Sequence, residues 1–140
     1  MQTLDPATDA GAEALGRLAS EEIAWLTTVN PDGQPQTSAI WFVWRDGQVI
    51  VYSRDRAPRN GNIEANPRVS FNLNTDEGGD NVLTMEGEAR FDLSLPPASA
   101  DAQFQARYGA RIRGYGWTTE WHAGQYPVPI VITPTRWRFG

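Results

Sequence analysis

Residues 36–53, QTSAIWFVWRDGQVIVYS, contain the pattern that decides the fold. They hold two runs of β-branched and aromatic residues, one ending at Trp44 and one starting at Val49, which is the composition of β-strands. Asp46-Gly47 lies between the runs and is typical of a two-residue β-hairpin turn. A third run of the same kind, residues 24–29, precedes them. The sequence therefore predicts an antiparallel meander of three strands.

Further strands and helices are predicted on either side of the meander. Residues 69–73 and 83–91 alternate between apolar and polar side chains, as strands with one buried face do. Asp5-Pro6 is typical of a helix start, and Asn66-Pro67 ends a short helix because the residue before proline avoids helical backbone. We expect residues 1–140 to form a single domain with an N-terminal helix in 1–20, barrel strands in 24–91, a short helix near 60–65, a helical region in 97–121 and closing strands in 128–139.

The short strands and tight turns predict a small antiparallel barrel with helices packed outside it. Residues 40–44 and 49–52 are apolar on both faces. One face fills the barrel, whereas few predicted helices remain to cover the other. Because an uncovered apolar patch of this size is unusual on a monomer, we expect a second subunit to cover it and predict a homodimer.

The composition excludes several classes of function. The chain has no cysteine, no lysine and one histidine, His122. Disulfides, thiolate metal sites, lysine Schiff bases and poly-histidine sites are therefore excluded, and we expect no metal site. A net charge of -5 argues against nucleic acid as a partner. We predict a cytoplasmic protein without a membrane partner, because no apolar run is long enough to span a bilayer and the N-terminus lacks the order of a signal peptide.

Residues 53–62, SRDRAPRNGN, combine groups that bind a phosphate. Ser53 offers a hydroxyl, three arginines offer forked donors, and the predicted helix offers free N–H groups at its N-terminus. A solvated surface loop has the same composition, so both interpretations stay open. The glycine spacing of a P-loop or a Rossmann fingerprint is absent, which argues against nucleotide binding of those types.

Other side chains are weaker candidates for a site. His122 is either a proton donor or a structural residue. No serine nucleophile pattern and no histidine–carboxylate pair indicates a hydrolase. The tryptophans either stack on a flat ligand or belong to the core; they include Trp41, Trp44, Trp117, Trp121 and Trp137.

Several stretches, in this order and spacing, resemble the pyridoxamine 5'-phosphate oxidase-like split β-barrel family. They are 24–35 (AWLTTVNPDGQP), 40–42 (IWF), 52–54 (YSR) and 62–69 (NIEANPRV). The C-terminal stretch 129–136, PIVITPTR, looks like the branch of that family that depends on the deazaflavin coenzyme F-420. Each motif is short, and their order makes the resemblance specific.

The resemblance implies a mainly β fold, a six-stranded antiparallel split β-barrel with a few peripheral helices, that forms a homodimer. It implies a cofactor, coenzyme F-420 or alternatively FMN, in a groove at the subunit interface. By the same resemblance the cofactor ring lies along the second strand and its phosphate lies at residues 53–62. The implied cofactor-binding residues are Thr37, Ser38, Ala39, Ile40 and Trp41 at the ring, and Ser53, Arg54, Arg59 and Asn62 at the phosphate.

Two positions depart from the pattern of the family. Arg59 stands where lysine is common, which preserves the charge but changes the hydrogen-bond geometry. Gly61 stands where a second basic residue is frequent, so one phosphate contact is missing or comes from Arg56. The chain also lacks the extended C-terminal region of the pyridoxamine phosphate oxidases themselves, which argues against oxidation of vitamin B6.

The resemblance implies an F-420-dependent oxidoreductase that transfers a hydride from C5 of the reduced deazaflavin to a small unsaturated or aromatic acceptor. The cofactor carries the chemistry, so no catalytic residue is assigned, and a proton would come from solvent, Tyr115, Tyr126 or His122. The alternatives are an FMN-dependent oxidase or flavin reductase of the same fold, and a non-catalytic protein that binds a cofactor or a flat ligand such as haem. A basic track leading away from Arg54 and Arg59 would favour F-420, whose tail is long and anionic.

Overall fold

The computed structural model describes residues 3–139, which form one continuous β-sheet and four α-helices. The strands are β1 (Ala24–Val29), β2 (Pro35–Ile40), β3 (Val43–Arg45), β4 (Gln48–Ser53), β5 (Arg68–Leu73), β6 (Leu83–Phe91) and β7 (Val128–Phe139). The helices are α1 (Asp9–Ser20), α2 (Pro58–Ala65), α3 (Ala102–Gly114) and α4 (Thr119–Gln125), and a 3₁₀ turn covers Ala98–Ala100. Every strand pairs antiparallel with its neighbours, as the sequence predicts.

The sheet curls into an open barrel, and its two edge strands, β2 and β3, are consecutive in the chain. The strand order is β2-β1-β5-β6-β7-β4-β3, and only Trp41 and Phe42 separate β2 from β3. The two edges therefore meet at this dipeptide, which produces the predicted mainly β, antiparallel split barrel. The predicted strand from Gln36 to Trp44 is divided here. The described residues accordingly contain seven strands, and the prediction of six was wrong.

Side chains of α3 replace strand pairing at this break. The Phe42 N–H donates to the Tyr108 hydroxyl at 2.8 Å, and the Phe42 carbonyl accepts from Arg107 Nη1 at 2.8 Å. The Phe42 ring is buried inside the barrel against Phe71, with the ring centroids 5.2 Å apart. Pairing stops because the α3 side chains occupy the backbone polar atoms that a neighbouring strand would need.

The Asp46-Gly47 hairpin is confirmed. Both residues have positive φ, 54° at Asp46 and 74° at Gly47, as a type I′ turn requires. The turn joins β3 to β4 and sets Arg45 opposite Gln48. A type I′ turn matches the twist of the strands that it joins, so this hairpin can be recognised from two residues.

The barrel interior is an apolar core built by all parts of the sheet. Leu26, Phe71, Met85 and Ile132 are each at most 1% exposed. Alternate residues of β5 and β6 contribute to this core, which confirms the predicted alternation. Helix α1 adds the fully buried Leu18 to it. Burial of each such side chain contributes about 1.5–3 kcal/mol to stability.

Helices of the same chain cover the outer face of β3, β4 and β7. Val43, Ile50 and Val131 pack with Phe104 and Ile112 of α3 in a second apolar cluster. The premise that a second subunit must cover this face was wrong, because α3 and the 3₁₀ turn lie across it. The apolar outer face therefore does not support the prediction of a homodimer.

The predicted helical region of 97–121 consists of three pieces. The 3₁₀ turn comes first, α3 follows, and α4 extends the region to Gln125. The loop between α3 and α4 turns at Gly116, whose φ of 81° suits a residue without a side chain. None of the helices within 3–139 is long and apolar enough to cross a bilayer.

Asp101 fastens α3 to the sheet and is only 2% exposed. Its carboxylate accepts the Phe104 N–H at 3.0 Å, Arg45 Nη1 and Nη2 at 3.1 and 3.0 Å, and the Tyr52 hydroxyl at 3.0 Å. Burial alone raises the pKa of this carboxyl group, but the hydrogen bonds from Arg45, Phe104 and Tyr52 outweigh burial and hold the pKa below its ordinary value. The charge of Asp101 is therefore satisfied inside the protein.

Candidate functional site

A cavity of about 340 Å³ opens where β2 and β4 end and α2 begins, beside α3 and α4. Its volume lies in the range of small-molecule sites. Ala39, Ile40 and Trp41 contribute to its wall from the end of β2. The rest of the lining consists mainly of two groups of side chains. The basic group comprises the lining arginines within residues 54–59, and the aromatic group comprises the lining aromatic residues, the last of which is Tyr126. No carboxylate lines the cavity among the residues described.

Arg59 is the polar centre of this cavity. It lies in the first turn of α2, where its Nη2 donates to Ser38 Oγ at 3.0 Å and its Nη1 donates to Ser53 Oγ at 3.5 Å. None of the ion pairs found within 3–139 includes Arg59. Burial lowers the pKa of its guanidinium, although Tyr126 opposes that effect. A half-buried guanidinium without a carboxylate partner can bind an anion.

The start of α2 adds further anion-binding groups. Its N-cap residue, Ala57, lines the cavity and makes no side-chain hydrogen bond, so no side chain caps the N–H groups of the first turn. Arg54 and Arg56 are exposed on the loop before the helix. Neither forms an ion pair in the described part of the chain. Arg54 and Arg59 therefore place two positive charges at the cavity.

Stacked aromatic rings form the other group. The Trp41 ring stacks on Tyr108, with the centroids 4.7 Å apart and the planes 3° apart, and on His122 at 5.3 Å. The His122 ring also stacks on Tyr126 at 4.8 Å. Arg54 lies over the Tyr126 ring with Cζ 4.8 Å from the centroid. This cation–π contact joins the basic group to the aromatic group.

His122 lies among these rings and is 3% exposed. It lines the cavity, and its Nδ1 is buried without a hydrogen-bond partner among residues 3–139. Burial lowers the pKa of the imidazole, and the charge of Arg54 lowers it further, so the ring is neutral at pH 7. A buried nitrogen without a partner is unfavourable.

The cavity brings together most of the predicted cofactor-binding residues. Those that line it are Ala39, Ile40, Trp41, Arg54 and Arg59. Ser38 and Ser53 adjoin it through their hydrogen bonds with Arg59. Residues of β2 and of the stretch 53–59, which are separate in the sequence, therefore lie at one cavity.

Thr37 and Asn62 make contacts away from the cavity lining. The Thr37 hydroxyl lies 2.7 Å from the Thr27 hydroxyl on β1. The Asn62 side chain is buried, and its Nδ2 donates to Thr28 Oγ1 at 2.9 Å and to Gln36 Oε1 at 2.8 Å. The Asn62 bonds hold α2 to β1 and β2, and the Thr37 contact joins β2 to β1. Their direct contact with a cofactor stays a prediction.

Sequence reasoning did not single out several residues of the cavity: Ile23, Tyr52, Ala57 and Phe104. Ile23 and Ala57 carry no chemical group that marks a site. Phe104 does have a signal, because Phe104, Tyr108 and Ile112 recur at intervals of four residues and predict one face of a helix. That face covers the sheet beside the cavity.

The fold also occurs in solved structures of other proteins. A conserved hypothetical protein from Mycobacterium tuberculosis is 23% identical, with a TM-score of 0.74 over 99% of this chain and 88% of that one. An F-420 reductase is 24% identical, with a TM-score of 0.65 over 88% of this chain and 94% of its own. The haem storage protein of Vibrio cholerae is 18% identical, with a TM-score of 0.64 over 99% of this chain and 95% of its own. At these identities the likeness shows a shared fold alone.

The sequence itself places the chain in a family. No curated protein matches it. The sequence pattern of pyridoxamine 5'-phosphate oxidase, in contrast, matches residues 10–139. This match includes all the strands of the barrel and the whole lining of the cavity. The chain therefore belongs to the pyridoxamine 5'-phosphate oxidase family.

Proposed function

We propose that the protein is an F-420-dependent oxidoreductase that reduces a small unsaturated or aromatic compound. Arg59 is the observation that carries this proposal. Its half-buried guanidinium contacts two serine hydroxyls, pairs with no carboxylate within 3–139, and lines a cavity that also has aromatic walls. An anion site beside a stacking site suits a cofactor that has a phosphate and a flat ring.

The residues present fit such a cofactor. We assign its phosphate to Ser53, Arg54, Arg59 and the first turn of α2, and its ring to the strand residues 37–41. Bound deazaflavin supplies a hydride at ring carbon C5. The chain itself holds the anion, packs aromatic side chains beside the ring and excludes water from it. These tasks need no acid–base pair in the protein.

The unpaired charge around Arg59 favours F-420 over FMN. Arg54 and Arg56 are exposed nearby in the sequence and form no ion pair in the described residues. A long anionic tail can reach these arginines, whereas the short phosphate of FMN needs only the residues assigned to the phosphate. Arg17 does not contribute, because its Nε bonds Glu21, the residue that follows α1, at 2.6 Å.

We also propose that the protein is a homodimer and that the partner completes the cofactor site. Within residues 3–139, β2 is an edge strand that pairs only with β1, and most of its residues are exposed. Trp25 lies opposite Ala39 of β2 and is 37% exposed. An unpaired strand edge beside an exposed tryptophan is a surface suited to a second subunit.

A fluorescence titration with F-420, and separately with FMN, tests the assignment of the cofactor. We expect F-420 to bind at micromolar concentration and FMN to bind less tightly. Arg59→Gln removes the unpaired cation and should weaken F-420 binding by about 1.5–3 kcal/mol, roughly 10- to 150-fold. The control is Arg136→Gln, which changes an exposed arginine on β7 and should leave the affinity unchanged.

The alternatives give different results in the same titration. A preference for FMN would assign the protein to the flavin-dependent oxidases or flavin reductases of this fold. A bound cofactor that stays inert toward every acceptor would make it a non-catalytic binding protein. If neither cofactor binds at micromolar concentration, the oxidoreductase proposal is overturned.

A further inference from the structure

We propose that Tyr108 is a positioning residue for the cofactor ring: it fixes Trp41 in the wall of the cavity and thereby sets the affinity of the cavity for a flat ring. This inference rests on the proposed function, because it concerns the site to which we assign the cofactor. Tyr108 lies in the middle of α3, is 0% exposed and does not itself line the cavity. It can therefore act on a bound ring only through the residues that it contacts.

Trp41 lies at a place in the chain where the sheet does not hold it. It is one of the two residues between β2 and β3, so its backbone belongs to neither strand. Its side chain lines the cavity and is half-buried. A side chain on such a connection has several rotamers open to it until neighbouring groups restrict them. The position of the Trp41 ring therefore depends on what packs against it.

The Tyr108 hydroxyl holds the backbone beside two residues of the cavity lining. It accepts the Phe42 N–H at 2.8 Å, directly after Trp41 in the chain. The Glu22 carbonyl lies 2.6 Å from the same oxygen and accepts its proton, and Glu22 directly precedes Ile23, which lines the cavity. The Phe42 carbonyl, at 2.9 Å, is the alternative acceptor. One buried hydroxyl thus fastens two separate backbone segments, each next to a lining residue.

The Tyr108 ring restricts the Trp41 ring as well. The two ring planes are 3° apart and the centroids are 4.7 Å apart. The rings of His122 and Phe104 also contact Trp41, but their planes are tilted from it by 22° and 45°, at 5.3 and 6.4 Å. Among these three rings Tyr108 is the nearest and the most nearly parallel. The plane of the Trp41 ring therefore follows that of Tyr108, which α3 carries.

These contacts have a consequence for ligands that contain a ring. A flat ring packs against Trp41 only in those molecules in which Trp41 lies in its observed orientation. If other orientations become populated, the apparent affinity falls in proportion to the fraction of molecules that can bind. A small anion at Arg59 makes no such demand. Loss of the Tyr108 contacts should therefore weaken the binding of a ring compound and leave the binding of a small anion unchanged.

A double-mutant cycle on the affinity for F-420 tests whether Tyr108 acts through Trp41. Tyr108→Phe retains the stacked ring but removes the hydroxyl, and should weaken F-420 binding about two- to tenfold. Trp41→Phe should weaken it by a similar factor. We expect the double variant to bind no more weakly than Trp41→Phe alone, because the two residues act as one unit. An unchanged affinity in Tyr108→Phe, or two losses that multiply in the double variant, would overturn the proposal.

Two controls separate positioning from a general loss of stability. Inorganic phosphate has no ring, and phosphorus NMR should show that it binds Tyr108→Phe and the wild-type protein equally. Leu83→Ala truncates a side chain that is 1% exposed in the barrel core and outside the cavity lining. It should lower the melting temperature and leave the affinity for F-420 unchanged. Equal losses of phosphate and F-420 affinity in Tyr108→Phe, or a loss of F-420 affinity in Leu83→Ala, would assign the effect to stability and overturn the proposal.

Fluorine NMR of the protein without ligand, labelled with fluorotryptophan, observes the position of Trp41 directly. The chain has six tryptophans, and the signal that is missing from Trp41→Phe belongs to Trp41. Because Tyr108→Phe retains the stacked ring, a shift or broadening of that signal reports a movement of Trp41 and supports the proposal. An unmoved signal overturns it.

The two measurements together separate this inference from the proposed function. If F-420 binds the wild-type protein and Tyr108→Phe equally, the positioning role fails while the oxidoreductase proposal stands. If no cofactor binds and the Trp41 signal moves in Tyr108→Phe, the positioning role is supported while the oxidoreductase proposal fails.

Discussion

At the scale of one residue, His122 should make the stability of the protein depend on pH below about pH 7. Burial and the charge of Arg54 lower its pKa in the folded state, whereas in the unfolded chain it titrates near pH 6.5. The unfolded state therefore binds the proton first as the pH falls. The contribution of His122 to the free energy of unfolding should be fully present above about pH 7. It should decrease as the pH falls from about 6.5 through the lowered pKa.

Urea unfolding at several pH values measures this effect. His122→Phe should flatten the dependence in that range, because the variant has no imidazole to titrate. Glu120→Gln changes an exposed neighbour on α4 and serves as the control that keeps the slope. A slope that survives unchanged in His122→Phe would mean that another group controls it.

At the scale of an element, Asp101 holds α3 to the barrel through its hydrogen bonds. Asp101→Asn retains the shape but loses the charge that Arg45 and Tyr52 contact, and should lower the free energy of unfolding by about 2–3 kcal/mol. The lowered pKa of Asp101 implies that its contribution is present above about pH 4 and is lost as the pH falls through that pKa. Thermal and urea unfolding at pH 7 measure the loss.

An exposed ion pair provides the comparison for Asp101. Glu86 and Arg138 meet at 3.3 Å, with side chains 49% and 65% exposed. Glu86→Gln should change the free energy of unfolding by no more than about 0.5 kcal/mol, because water screens an exposed pair. Equal decreases in the free energy of unfolding for Asp101→Asn and Glu86→Gln would contradict the conclusion that Asp101 holds α3 to the sheet.

At the scale of the whole molecule, the homodimer can be tested by mass. Light scattering after size exclusion should give about twice the 15.5 kDa of one chain. Trp25→Glu places a charge beside the β2 edge, and should favour the monomer and weaken F-420 binding. Leu93→Glu adds the same charge at a residue that is 83% exposed and should change neither property. A monomer that binds F-420 with full affinity would rule out a shared site.

Local signals account for the parts of the fold that could be predicted. The Asp46-Gly47 turn, the alternation within 69–73 and 83–91 and the cluster of arginines in 53–62 each depend on neighbours in the chain. The break at Phe42 depends instead on Tyr108, 66 residues away, so no local pattern could reveal it. The sequence analysis also missed that α3 covers the outer face of the sheet, because that packing joins residues that are far apart in the chain.

The division between sequence and tertiary structure has a physical basis. Turn type, strand period and charge are properties of short segments, so the antiparallel barrel and the cluster of arginines in 53–62 follow from the residues alone. Folding decides which distant groups meet: it sets Arg59 against Ser38 without a carboxylate in the described chain, and buries His122 Nδ1 without a partner there. Desolvation then lowers the pKa of both side chains, which no composition can show.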